Sequence, residues 1–343
     1  MMRLPRFRFV SPRSVGEAVD VLAAAAPGDV MIVAGGTDLI PNMKRRQQTP
    51  GTLVGLRAVE ELRSISNGDG LTIGAGVTLT RLLRALKDPR HAGYDGLSQA
   101  VAQIATPHLR NMGTIGGNLC LDTRCNYYDQ NYEWRKAIDF CMKKDGETCW
   151  VAPSSPRCLA VSSTDGAPAL MSLGASVQLR DANGSRLLPL GALYRNDGID
   201  YISRRPTEIL TSVVLPRLDG WRSTYWKLRR RGSFDFPVLS VAAAARLGQD
   251  GTVEDARVVL GAVASRPVEA GGVRAVLVGQ PLGDDRIAEA AAIAAQPARP
   301  MDNTDFGLVW RKRMVKAFVT YALRELRGDD MRADRYKVAR QLL

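Results

Sequence analysis

Two glycine-rich loops constrain the fold of this chain more than any other feature of its sequence. They are Val33-Ala34-Gly35-Gly36-Thr37-Asp38 and Asn111-Met112-Gly113-Thr114-Ile115-Gly116-Gly117-Asn118. Glycine lets a backbone turn sharply, and the N–H groups of such a turn can bind an anion. The first loop lacks the spacing of a Rossmann fingerprint. Two loops of this kind on opposite sides of a diphosphate would hold it from both ends.

The residues around the first loop predict alternating strands and helices. Ser14 followed by Glu17 has the spacing of a capping box, which predicts the start of a helix. Further on, short β-rich runs alternate with helical patterns, and this favours an α/β first half. The predicted strands are 30–34, 52–56 and 71–73, and the predicted helices that follow are 78–86 and 96–104.

The last third of the chain has a different order of elements. Three β-rich runs follow one another at 224–230, 239–246 and 256–263. Helical patterns come after them, at 266–278, 285–295 and 309–326. Consecutive strands followed by helices indicate a separate α+β domain, which we expect to contain a three-stranded antiparallel sheet.

All cysteines lie in a segment, 119–164, that has no helical or strand period. They are Cys120, Cys125, Cys141, Cys149 and Cys158. In a cytosolic protein such clustering favours metal or redox chemistry over disulfides. Four thiolates suit zinc or an iron–sulfur cluster, and a bound metal supplies the folding energy that this polar segment lacks. We expect Cys120, next to the second glycine loop, to be a small buried residue.

The net charge of +12, from 47 basic and 35 acidic residues, allows several kinds of partner. Nucleic acid is disfavoured because the basic residues are dispersed, aromatic residues are few, and no nucleic-acid motif is present. The charge would also attract acidic proteins or phosphorylated ligands. No apolar run is long enough to cross a membrane, and the first ten residues lack the features of a secretory signal. We therefore expect a soluble, cytoplasmic protein.

Several motifs in order along the chain resemble the FAD-binding subunits of the molybdenum hydroxylase family, which includes carbon monoxide dehydrogenase and xanthine dehydrogenase. They are AGGTDL, RNMGTIGGN, SSTDGAPAL, EILTSVVLP and KLRRRGSFDFP. The resemblance implies an α+β fold of the PCMH type, with FAD between two α/β subdomains. The expected parts are 1–57, then 58–220 with an insert at about 119–164, then the α+β domain 221–343.

The resemblance also implies roles for individual residues. The first loop (Val33 to Asp38) and Thr114, Ile115, Gly117 and Asn118 of the second would surround the FAD diphosphate. Asp165 would bond a ribityl or ribose hydroxyl, and Leu210 would pack on the adenine or the flavin. Lys227 would approach the pyrimidine carbonyls, where a cation stabilises reduced flavin. Taken alone, Asp165 is more typical of a loop turn, Leu210 of a core position and Lys227 of a solvated strand charge.

The cysteine segment resembles the insert of the β subunits of 4-hydroxybenzoyl-CoA reductases. In that group Cys125, Cys141, Cys149 and Cys158 would ligate a [4Fe–4S] cluster. Ferredoxin would donate electrons, which would pass through FAD to [2Fe–2S] clusters on a small subunit and a molybdenum cofactor on a large one. The expected assembly is a heterohexamer that dehydroxylates 4-hydroxybenzoyl-CoA to benzoyl-CoA, with no catalytic residue in this chain.

Other functions remain open at this point. The complex could oxidise another substrate, with FAD passing electrons outward to an acceptor. The chain could also be a stand-alone FAD oxidoreductase, although the flavin loops contain no evident catalytic base. A zinc-stapled nucleic-acid binder would contain no flavin at all.

Overall fold

The computed structural model describes residues 3–26 and 28–341 of the chain. The outermost residues of the expected first and last domains, and the start of the segment considered as a signal, lie outside this part. The helices are Val15–Ala23 (α1), Leu39–Lys44 (α2), Leu79–Ala85 (α3), Asp95–Ala102 (α4), Pro107–Arg110 (α5), Ile115–Leu119 (α6), Tyr132–Ala137 (α7), Gly166–Ser172 (α8), Gly272–Leu277 (α9), Asp284–Ala294 (α10), Leu308–Arg327 (α11) and Arg332–Arg340 (α12). In the described residues, no helix combines the length and apolar character that a membrane span requires.

Three sheets organise these helices. The first is parallel in the order β1-β3-β2, with strands Arg8–Val10 (β1), Val30–Val33 (β2) and Thr52–Gly55 (β3). The second is antiparallel in the order β4-β5-β8-β6-β7, with strands Ile65–Asn67 (β4), Gly70–Gly74 (β5), Ser176–Asp181 (β6), Gly184–Pro189 (β7) and Ile209–Pro216 (β8). The third is antiparallel in the order β12-β11-β10-β9, with strands Trp221–Leu228 (β9), Leu239–Leu247 (β10), Val253–Gly261 (β11) and Val268–Glu269 (β12).

The predicted α/β alternation of the first half is confirmed. The Ser14 hydroxyl accepts a hydrogen bond from the Glu17 N–H at 3.1 Å, and the Glu17 carboxylate accepts one from the Arg13 N–H at 2.8 Å, so a capping interaction starts α1. The apolar face of α1 is buried against β3 and the residues that follow it. The predicted strands and helices between residues 30 and 104 are present as β2, β3, β5, α3 and α4.

The third sheet is buried on both faces, which explains its long apolar strands. In β10, Ala242 and Ala244 pack into the core that contains α4 and α8. The alternate residues Val241, Ala243 and Ala245 pack into a separate core with α10 and α11. Because alanine side chains are small, helices can approach both faces closely. The sheet therefore joins the C-terminal helices to the rest of the protein.

The expectation of a three-stranded C-terminal sheet is wrong, because β12 adds a fourth strand. Val268 and Glu269 pair with Leu260 and Val259 of β11. These two residues lie inside the predicted helix 266–278, of which only α9 is helical. Pro267 and Gly271 disfavour a helix before α9, whereas an unpaired edge of β11 can accept a short strand.

The buried Arg311 offers a test of how the C-terminal domain is held together. Its guanidinium donates to the backbone carbonyls of Val238 (3.1 Å), Met301 (2.8 Å) and Ala262 (2.8 Å), and burial lowers its pKa to about 10. We expect Arg311→Met to lower the free energy of unfolding by about 3 kcal/mol or more, because three buried acceptors lose a charged donor. Chemical denaturation measures this. Arg313→Met, at an exposed position of the same helix, should change it by less than about 0.5 kcal/mol. Equal effects of the two substitutions would contradict this role of Arg311.

Candidate functional site

A cavity of about 890 Å³ lies where the two glycine loops meet. Its wall also includes residues after the second loop, the segment 200–206 before β8, and the loop 231–236 after β9. The two loops lie far apart along the sequence, and the fold brings them to one cavity. Most of the predicted cofactor residues line it, and they are Val33, Ala34, Gly35, Gly36, Thr37, Asp38, Thr114, Gly117, Asn118, Asp165 and Leu210.

The backbones of the two loops are in direct contact. A Cβ atom placed on Gly35 would lie 2.1 Å from the carbonyl oxygen of Met112 and 2.9 Å from the Cα of Gly113. Gly36 has a φ of +70°, in the left-handed region that favours glycine. Because no side chain separates the loops, N–H groups from both can approach the same group in the cavity.

The second loop is fixed by its own side chains. The Thr114 hydroxyl accepts a hydrogen bond from the Gly117 N–H at 3.1 Å and so caps α6. The Asn118 Oδ1 accepts hydrogen bonds from the Thr164 hydroxyl at 2.8 Å and the Gly166 N–H at 3.0 Å. Asn118 therefore fixes the turn that contains Asp165. Ile115 is fully buried in the core and does not line the cavity.

Asp165 lies on the cavity wall and is paired on its other side. Its carboxylate accepts hydrogen bonds from the Tyr225 hydroxyl at 2.6 Å and from the Lys227 ammonium at 3.0 Å. The ammonium also donates to the Gln103 carbonyl at 3.0 Å. Burial raises the pKa of Asp165 and lowers the pKa of Lys227, and the ion pair opposes both shifts. Lys227 thus lies behind Asp165 and is not among the residues that line the cavity.

Several residues of the cavity carry no clear sequence signal. Cys120 is only partly buried and lines the cavity as well as packing against the core. Burial raises the pKa of its thiol, and the positive charge of Arg204 opposes that shift. The other cavity residues without a clear signal are Arg45, Gln48, Asp122, Arg124, Arg195, Tyr201, Arg204, Phe234 and Phe236. Of these, only Phe234 and Phe236, which belong to the FDFP motif, could have been found from the sequence.

The four predicted metal-binding cysteines are buried free thiols. Cys125, Cys141 and Cys158 share one small cluster with Tyr128 and Ala160. Burial, with a smaller contribution from the neighbouring thiols, raises the pKa of Cys125 to about 12 and that of Cys158 to about 11. Cys149 is among the thiols that act on Cys158. Within residues 3–26 and 28–341, no three His, Cys, Asp or Glu side chains are arranged to hold a metal ion.

The contact between the two loops gives a direct test of the cavity as a flavin site. We expect Gly35→Ala to weaken FAD binding about 5- to 150-fold, because overpacking against the Met112 carbonyl costs about 1–3 kcal/mol. Titration of the flavin-free protein with FAD, followed by flavin fluorescence, measures the affinity. Gly271→Ala is the control, since a Cβ there meets nothing within 4 Å. Unchanged FAD affinity in Gly35→Ala would exclude this cavity as the diphosphate site.

Known proteins share both the sequence and the fold. Residues 5–218 match the family described as FAD binding domain in molybdopterin dehydrogenase, and residues 223–326 match the carbon monoxide dehydrogenase flavoprotein C-terminal domain. The FAD-binding subunit of the aldehyde oxidoreductase of Escherichia coli (strain K12) is 34% identical over 259 residues, which cover 71% of this chain and 78% of that subunit. The carbon monoxide dehydrogenase medium chain of Hydrogenophaga pseudoflava is 26% identical over 91% of this chain and 95% of its own length.

Solved structures agree with these matches. Carbon monoxide dehydrogenase from Hydrogenophaga pseudoflava aligns with a TM-score of 0.76 at 25% identity, covering 95% of this chain and 98% of that chain. Quinoline 2-oxidoreductase from Pseudomonas putida 86 aligns with a TM-score of 0.72 at 25% identity and the same coverage. Both family matches and the fold lead to one conclusion: the chain belongs to the FAD-binding medium subunits of the molybdenum hydroxylase family.

Proposed function

We propose that this chain is the flavin-carrying electron-transfer subunit of an oxidative molybdenum hydroxylase. The complex would oxidise a substrate, with aldehydes as the proposed class, on a partner subunit and pass the electrons to an external acceptor. The contact between the two glycine loops at the cavity is the observation that carries the flavin site. The names of the relatives, an aldehyde oxidoreductase and carbon monoxide dehydrogenases among them, favour oxidation over reduction.

The residues of the cavity suit FAD in both shape and chemistry. A diphosphate would lie against the N–H groups of the two loops, where Gly35 leaves room that any side chain would fill. Asp165 would accept a hydrogen bond from a hydroxyl of the cofactor, and Leu210 would pack on a ring. Lys227 would hold Asp165 in place rather than contact the flavin. Bound FAD would supply reversible electron transfer, because a flavin exchanges one or two electrons.

Three carboxylates of the cavity wall are paired with basic side chains. Asp38 is paired with Arg124, Asp165 with Lys227, and Asp200 with Arg195. A general base must be free to accept a proton from substrate. Carboxylates that are held in ion pairs therefore suit a site that binds a cofactor better than a site that transfers protons. This supports the proposal that the substrate site lies on a molybdenum-cofactor large subunit, with [2Fe–2S] clusters on a small subunit.

We also propose that Cys125, Cys141, Cys149 and Cys158 hold a [4Fe–4S] cluster. Four buried thiols without disulfides, in a polar segment with little apolar core, suit a group that contributes folding energy. The Ala160 N–H donates to the Cys158 Sγ at 3.5 Å, and backbone donors to sulfur are one of the features that set cluster potentials. A Cβ on Gly198 would lie 2.6 Å from the same sulfur, so the segment packs closely around it.

The cysteine insert specifically favours a second candidate function. In this alternative, a ferredoxin would deliver single electrons to the cluster, and the complex would reduce 4-hydroxybenzoyl-CoA to benzoyl-CoA. The net charge of +12 would favour docking of an acidic ferredoxin. Both candidates predict a cytoplasmic assembly of three kinds of subunit, with a dimer of heterotrimers as the expected form.

Cysteine substitutions test the cluster. We expect Cys158→Ser to remove most of the iron and acid-labile sulfide from anaerobically purified protein, because one of four thiolate ligands is lost. Cys120→Ser should keep both, since Cys120 lies on the flavin side of the second loop. Metal analysis, together with EPR after dithionite reduction, measures the result. Zinc instead of iron, or iron content that survives Cys158→Ser, would contradict the assignment.

Anaerobic reduction of the complex tests the direction of electron flow. Purified with its partner subunits, the complex should bleach its flavin absorbance when an aromatic or aliphatic aldehyde is added, and an acceptor dye should restore it. This is expected because oxidation on the partner subunit supplies electrons to the flavin. Conversion of 4-hydroxybenzoyl-CoA to benzoyl-CoA with reduced ferredoxin, without any bleaching by aldehydes, would instead select the reductive candidate.

A further inference from the structure

We propose that Arg335 of the C-terminal helix α12 is a positioning residue of the flavin site, acting through β9 on Tyr225 and Asp165. α12 lies beyond residue 326, where the match to the family's C-terminal domain ends. Its described residues, Arg332–Arg340, are not among those that line the cavity. The role of Arg335 depends on the flavin site proposed above, to which it adds a helix that the family match does not include.

α12 is held against the protein by polar contacts more than by apolar burial. Within Arg332–Arg340, all of which the structure describes, no side chain is buried, and Val338 packs only partly against the C-terminal core. A helix of nine residues is marginally stable in water without tertiary contacts. The polar contacts of Arg335 are therefore central to holding α12 in place.

The Arg335 guanidinium joins α12 to α4, β9 and α11. It donates to both carboxylate oxygens of Glu325 in α11, at 2.8 and 2.6 Å. It also donates to the side chains of Gln99 in α4, at 3.1 Å, and Thr224 in β9, at 3.0 Å. Its centre lies 4.3 Å from the ring centroid of Trp226. A guanidinium can make these contacts at once because its donors form a planar fork.

The partners of Arg335 hold β9 at its free edge. β9 is the last strand of the third sheet, so one of its sides has no neighbouring strand. On β9, the Tyr225 N–H donates to the Gln99 side chain at 2.7 Å, and the Trp226 indole N–H donates to Glu325 at 2.8 Å. Burial would raise the pKa of Glu325, but its hydrogen bonds, that from Arg335 foremost, lower it overall. The carboxylate therefore stays ionised and keeps its donors.

β9 transmits its position to the cavity wall through alternate side chains. Trp226 packs into the C-terminal core, whereas Tyr225 packs into the core that contains α4, because successive side chains of a strand point to opposite faces. The Tyr225 hydroxyl donates to Asp165 at 2.6 Å, and Lys227, two residues further on, donates to the same carboxylate at 3.0 Å. A displacement of β9 would therefore move both groups that hold Asp165.

The end of α12 also contacts the loop that follows β9. The Gln341 side chain donates to the Arg229 carbonyl at 2.9 Å. A Cβ atom on Gly232 would lie 3.1 Å from the carbonyl oxygen of Ala339, so the helix and the loop are closely packed. Residues 231 and 234–236 of this loop line the cavity. α12 thus lies against the strand that holds Asp165 and against the loop that completes the wall.

The test measures FAD affinity of full-length variants, by titration of the flavin-free protein followed by flavin fluorescence. We expect Arg335→Met to bind FAD about tenfold more weakly, because β9 loses the donors that fix its edge. The visible circular dichroism of bound flavin should change as well, because Asp165 would be placed differently beside the cofactor. Arg332→Met is the control, since Arg332 is 90% exposed and pairs only with Asp330. Wild-type affinity and spectrum in Arg335→Met would overturn the proposal, as would an equal loss in Arg332→Met.

A double-mutant cycle tests the route through β9. Tyr225→Phe removes the hydroxyl that links β9 to Asp165. We expect Arg335→Met to weaken FAD binding much less in this background than in wild type, because the two residues act in one network. Additive losses would overturn the route.

Two further variants separate the possible failures. Arg335→Lys keeps a charge beside Glu325 but lacks the planar fork, so we expect it to fold and to bind FAD more weakly than wild type. This variant decides the question if Arg335→Met does not fold, and wild-type affinity in it would overturn the proposal. Unchanged affinity in Gly35→Ala would instead overturn the flavin site itself.

Discussion

The close contact between the two glycine loops is the constraint on which the site depends. Gly35 lies against the carbonyl of Met112 with no space for a side chain, so the first parallel sheet and the second loop form one wall. Hydrogen bonds hold the adjoining residues in position, because Thr114 caps α6 and Asn118 fixes the turn that contains Asp165. The proposed diphosphate site is thus formed mainly by backbone atoms of the two loops. This suits a family whose members bind FAD.

The third sheet connects this site to the C-terminal domain. Its alternating small residues serve two cores, one shared with α4 and α8 and one with α10 and α11. Tyr225 and Lys227 of β9 reach Asp165 from this sheet, and the loop after β9 brings Phe236 to the cavity. The C-terminal domain therefore contributes side chains to the site, although the glycine loops lie in the N-terminal half.

The cysteine segment differs from the sheets around it because it has little apolar core and many polar contacts. It contains a small apolar cluster and many polar contacts. The Lys143–Asp122 pair is almost hidden from water, whereas Asp38 is partly exposed in its pair with Arg124. Buried charges of this kind are costly unless their geometry is held. A metal centre at the cysteines, as proposed, would add order to this segment.

The sequence by itself determined the family, the glycine loops, the cysteine quartet and most helices and strands, because glycine geometry and hydrophobic period are local properties. It failed where neighbours distant in the chain decide the outcome. The edge of β11 made a strand of Val268 and Glu269 in place of a predicted helix. Only the folded chain shows that Lys227 pairs with Asp165 and that Arg124 reaches Asp38. Ion pairs of this kind depend on distance and desolvation in three dimensions, which no spacing of residues along the chain contains.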